Sequence, residues 1–113
     1  MANYPFDTNN PLDIVRYFAA TIQNGRTIAD ASRHTKLELI ELDEEIEKKA
    51  NGEAAGPDGI VGEAIDIIAC ALDIIFVEAP ETTNEQISAI LLKKCEKWAR
   101  RYKDSVDGDR SID

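Results

Sequence analysis

Residues 60–77 read IVGEAIDIIACALDIIFV, and this run constrains the fold more than any other part of the chain. Its only charges are Glu63, Asp66 and Asp73. At about 100° per residue the three fall on one narrow strip of a helix, and the rest of the circumference is mostly Ile, Val, Leu, Phe and Ala. Such a helix has to be covered on most sides. Carboxylates along it cost free energy unless something pairs with them, and a metal ion is one such partner. A second acidic strip lies just upstream, where Glu38, Glu41 and Glu45 share a face of the preceding helix. Two acidic faces brought together repel each other unless a cation sits between them.

Three further helices surround that run. The first is expected over residues 11–24, with Asn10 as N-cap, Pro11 at the first helical position and Gly25 as the stop. Leu12, Val15, Phe18, Ala19 and Ile22 make its apolar stripe. The second is expected over residues 27–50, where Ile28, Ala31, Thr35, Leu39, Leu42 and Ile46 recur at three- and four-residue steps. The glycine-rich segment GEAAGPDG then reads as a loop, with Asp58 as the cap of the third helix. Pro80 ends that helix. Thr82 or Thr83 caps the fourth, with Glu85 or Gln86 completing a capping box, and its pattern runs to Lys103. No strand pattern is present, so the fold class is all-α, a four-helix bundle. Leu37 and Ile40 add a second apolar edge to the second helix. The surplus apolar surface predicts a homodimer or homotetramer built through the second and third helices.

A chain of 113 residues fits one domain, 1–113, with residues 1–10 and 104–113 as flexible ends. The net charge of −9 excludes a nucleic-acid polymer as the natural partner, because phosphate binding needs a basic surface. Anionic membranes are disfavoured for the same reason. Acids cluster over residues 38–66 and bases over residues 93–103. Cys70 and Cys95 show no metal-ligand spacing and are expected as buried free thiols. The opening MANYPFDTNN lacks the basic and apolar regions of a secretory signal. Three acids in residues 60–77 argue against a membrane span. A cytoplasmic protein is the expectation.

Glu38 and Glu41 stand one helical turn apart, and Glu63 and Asp66 repeat that spacing on the next helix. If the two helices pack antiparallel, four carboxylates converge. An all-oxygen nest of this kind suits a hard cation, Mg²⁺ with Mn²⁺ as the alternative, and disfavours zinc. Carboxylate–Mg²⁺ sites commonly hold substrate phosphates. The competing reading makes the same acids ordinary ion-pair partners of the fourth helix, in a non-catalytic interaction module.

The order Leu37-Glu38-Leu39-Ile40-Glu41, a spacer, then Glu63-Ala64-Ile65-Asp66 resembles the signature of the MazG-like, all-α nucleoside triphosphate pyrophosphohydrolases. The resemblance covers roughly residues 28–102. It implies Mg²⁺-dependent cleavage of a nucleoside triphosphate to the monophosphate and pyrophosphate. Glu38, Glu41, Glu63 and Asp66 match the metal ligands, and Glu38 and Glu41 become the candidate catalytic pair. Lys94, Lys97 and Arg101, with Trp98, resemble the basic last helix that reaches substrate phosphates. One position departs: the first Glu of the family's doublet is Leu37 here, which leaves the number of metals and the identity of the base open. A degenerate member that binds nucleotide without turnover is the second alternative.

Other residues carry two readings each. His34, one turn before Glu38, is either a substrate contact at the mouth of the site or a surface residue beside acids. Glu45 substitutes for the lost acid or is an exposed charge. Asp73 pairs with a lysine of the fourth helix or of a partner subunit, or binds metal. Trp98 is core or a stacking platform. Tyr4, Phe6 and Tyr17 could stack on a base.

Overall fold

The structure, a computed structural model, describes residues 3–22 and 25–106. These contain four helices and no strand: α1 (Pro11–Thr21), α2 (Ile28–Ala50), α3 (Gly59–Glu78) and α4 (Asn84–Val106). The chain divides into two compact units, Met1–Glu81 and Thr82–Asp113. None of the described helices is long and apolar enough to cross a membrane.

Local chemistry sets the helix starts. The Asn10 side chain accepts from the backbone N–H groups of Leu12 and Asp13, at 3.1 and 3.3 Å, and Pro11 fills the first turn. Thr27 and Asp30 form a reciprocal capping box at α2. Thr83 and Gln86 make the same exchange at α4, which settles the choice between the two threonines. Asp58 is a correction. It occupies the N-cap position of α3, but its side chain caps nothing. Its backbone (φ −91°, ψ −25°) is helical rather than extended, so the carboxylate is not aimed at the free N–H groups.

In the first unit α3 packs against both α1 and α2. Three pairings show that α2 and α3 run antiparallel: Glu45 meets Gly56, His34 meets Cys70, and Arg26 meets Asp73. The core is small, formed by Ala19, Ala31, Cys70, Leu72 and Phe76. Arg16 lies over the Phe76 ring, 4.4 Å from its centroid, which ties α1 to the far end of α3. Tyr4, Phe6, Tyr17 and Phe18 form one aromatic cluster, with ring centroids 5.0–5.9 Å apart. Leu37 and Ile40 on α2, and Val61, Ile65 and Ile68 on α3, remain exposed.

Among the described residues the ion-pair partner of Asp73 is an arginine rather than a lysine. Arg26 grips the carboxylate with two hydrogen bonds, at 2.7 and 2.9 Å, and also reaches the Ala19 carbonyl. This fork joins the α1–α2 turn to α3 at a half-buried position. Replacing Arg26 by Gln strands the Asp73 carboxylate. We expect a loss of about 1–3 kcal/mol in urea unfolding, the range for a partly buried pair broken from one side. An unchanged midpoint would show the fork to be incidental.

The second unit contains α4. Lys94, Lys97, Trp98 and Arg101 share one of its faces and border a shallow hollow of about 230 Å³. Trp98 and Cys95 are both exposed rather than core, and among the described residues the unit that holds them contains a single helix.

Candidate metal centre

The antiparallel pairing of α2 and α3 brings the four predicted carboxylates together. Glu38, Glu41 and Glu63 each offer an oxygen, and these lie within 4.8 Å of one another. Asp58, Glu63 and Asp66 form a second such group. Glu63 belongs to both. Ligand oxygens about an octahedral Mg²⁺ at ~2.1 Å lie roughly 3–4.2 Å apart, so modest side-chain rotation would close either group on an ion.

The electrostatics fit a missing positive charge. Glu63 Oε1 and Glu38 Oε2 are shielded from solvent and have no hydrogen-bond partner. Burial pushes the Glu63 carboxyl up to about 7, helped by the neighbouring Asp66 carboxyl, to which only a protonated Glu63 could donate, and by the charges of Glu41, Asp58 and Asp66. The Glu41 carboxyl is also raised, first because only its protonated form could donate to the adjacent Glu38 and then by repulsion from Glu38. Three cations of this unit are held away from the cluster, Arg26 by Asp73, Lys48 by Glu45 and Arg33 by Asp30, while His34 lies 3.2 Å from Glu38. A hard divalent cation would satisfy both orphaned oxygens and remove the repulsion. The donor set is all oxygen, as Mg²⁺ or Mn²⁺ prefers.

His34 lies beside the site, with Nε2 3.2 Å from Glu38 Oε1 and Nδ1 3.8 Å from Cys70 Sγ. Burial pushes the Cys70 thiol up, so it is no nucleophile. A cleft of about 290 Å³ opens here between the three helices. Ile14, Phe18, His34, Glu38, Asp66 and Cys70 line it, so its walls are apolar and its edge carries two of the candidate ligands. A larger open depression of about 560 Å³ beside Phe6 and Tyr17 contains none of the four carboxylates.

Two acids differ from expectation. Glu45 is buried, not exposed, and accepts from the Gly56 N–H and from Lys48. It faces the α2–α3 connection rather than the carboxylate cluster. Asp58 was missed as a site residue. Its spacing held the signal, since Asp58, Gly62 and Asp66 fall on one helical face at four-residue steps. Lys94, Lys97 and Arg101 share a face of α4, in the other unit. Compared with family models, curated proteins and solved structures, the chain matches none of them.

Proposed function

We propose that the chain is a Mg²⁺-dependent nucleotide pyrophosphohydrolase of MazG-like type, converting a (d)NTP and water to a (d)NMP and pyrophosphate. The carrying observation is the pair of enclosed carboxylate oxygens, Glu63 Oε1 and Glu38 Oε2, which have no partner. Motif order over α2 and α3 supplies the reaction class by resemblance. Bound Mg²⁺ would neutralise phosphate charge and polarise the α-phosphorus.

Glu38, Glu41, Glu63 and Asp66 hold the cation. Glu41 is exposed and next to Glu38, so this pair orients the attacking water in line with the departing pyrophosphate. The apolar cleft along α1 takes the base, with Phe18 and Ile14 against its faces and His34 at its edge. Lys94, Lys97 and Arg101 are the proposed phosphate contacts, on sequence grounds. The exposed apolar residues of α2 and α3 support a homodimer or homotetramer.

Pyrophosphate release from canonical and modified (d)NTPs, with Mg²⁺, with Mn²⁺ and with chelator, tests the reading. Metal-dependent appearance of pyrophosphate with a monophosphate is the expected result. No release from any nucleotide, together with no shift of melting temperature on adding metal, overturns it and returns the acids to a non-catalytic module.

A further inference from the structure

Among the described residues of the first unit Glu45 is the buried charged one, with its side chain 7% exposed. Both oxygens are used. Oε1 accepts the Gly56 N–H at 2.9 Å, and Oε2 accepts from Lys48 Nζ at 3.0 Å. Gly56 leaves room for this approach, because a Cβ there would lie 2.7 Å from Glu45 Oε2 and the carboxylate tip would have to shift. Two residues further on, the Asp58 side chain folds against the first turn of α3, where a Cβ on Gly62 would lie 2.7 Å from the Asp58 Cβ. Two glycines thus make room for two carboxylates, one holding the connection and one carried by it. The Asp58 carboxylate is free of capping duty and stands with Glu63 and Asp66. Glu63 is also the residue whose enclosed Oε1 has no partner.

We propose that Glu45 is a positioning residue of the candidate cation site: by holding the Gly56 N–H it keeps Asp58 beside Glu63 and Asp66, where Asp58 serves the cation as a fifth carboxylate. The proposal rests on the cation reading above. It assigns Glu45 a role through the backbone and not through contact with the ion.

Calorimetric titration with Mn²⁺ alone, without nucleotide, separates the two readings. Asp58→Asn weakens Mn²⁺ binding about tenfold, the scale for a supporting group of a metal site. Glu45→Ala weakens it by a similar factor, and Glu45→Gln, which keeps an acceptor for the Gly56 N–H, restores it. The double variant E45A/D58N binds no more weakly than D58N, because both changes remove the same carboxylate. Should E45A lose helix content, Gly56→Ala replaces it in the cycle, since its methyl drives the same carboxylate away. Losses that multiply, or an unchanged D58N, overturn the positioning role while the cation site stands. Failure of the wild-type protein to bind Mn²⁺ overturns the cation site and this role together.

Discussion

Glu63→Gln is expected to stabilise the metal-free protein and to abolish its metal-dependent activity. The two effects share one cause. Glu63 stands between two acidic groups, with one oxygen enclosed and unpaired. Desolvation comes first among the causes that push its carboxyl up to about 7. At pH 8 the metal-free fold therefore carries a carboxylate that its surroundings disfavour. Glutamine keeps the shape and removes the charge, so the melting temperature of metal-free E63Q at pH 8 lies above that of wild type. At pH 5 the wild-type carboxyl is already protonated, and the difference closes. Turnover of a (d)NTP with Mg²⁺ falls more than about a hundredfold, since even groups that only support a metal ligand cost 10–100-fold. Helix content by circular dichroism stays the same. A gain in stability with a loss of function is the mark of a residue kept for chemistry. Full activity in E63Q, or a lowered melting temperature at pH 8, would sink the assignment. Glu41→Gln makes a useful comparison, because Glu41 is exposed and owes its raised carboxyl chiefly to Glu38.

The helices and the four central carboxylates were legible because they depend on local spacing. Asn10, Thr27 and Thr83 mark helix starts by side chains that act within three residues. The apolar circumference of α3 and the repeated three-residue acidic step follow from one helical period. The rest depends on where one helix meets another. Glu45 sits one turn beyond Glu41, and in sequence the two look like one strip. A four-residue step also turns the helix by about 40°, and at the end of α2 that rotation points Glu45 at the connection instead of the cluster. Arg26 lies in a turn with no periodic neighbours, so nothing local announces its grip on Asp73. Asp58 was legible only in part. The sequence marked it as a cap, but its helical backbone turns the carboxylate away from the N–H groups. Lys94, Lys97 and Arg101 share a face by spacing alone, and sharing a face does not say what the face meets.

Raising the pH should destabilise the metal-free protein and strengthen its hold on metal, both through Glu63. In the unfolded chain this carboxyl ionises near its ordinary value of 4.5, and in the fold near 7. Between those values the native state binds a proton that the unfolded state has lost. Its contribution to stability is therefore full below the lower value and disappears as pH rises through the upper one. A cation takes the ionised form, so below pH 7 binding has to expel that proton. Apparent Mn²⁺ affinity should climb about tenfold per pH unit up to ~7 and level off above it, as release of one proton requires. Titration at pH 6 in two buffers of different ionisation enthalpy counts the proton directly. The thermal shift produced by saturating Mn²⁺ should accordingly be small at pH 5.5 and large at pH 8. In E63Q the proton is absent, so the steep acid limb of the affinity curve and the fall in metal-free stability should both flatten. That comparison separates Glu63 from every other group that changes with pH, including Glu41, whose raised carboxyl adds its own contribution. A wild-type affinity that is flat between pH 5.5 and 8 would mean that Glu63 is not a ligand. The two orphaned oxygens would then be a strain that the fold tolerates without using.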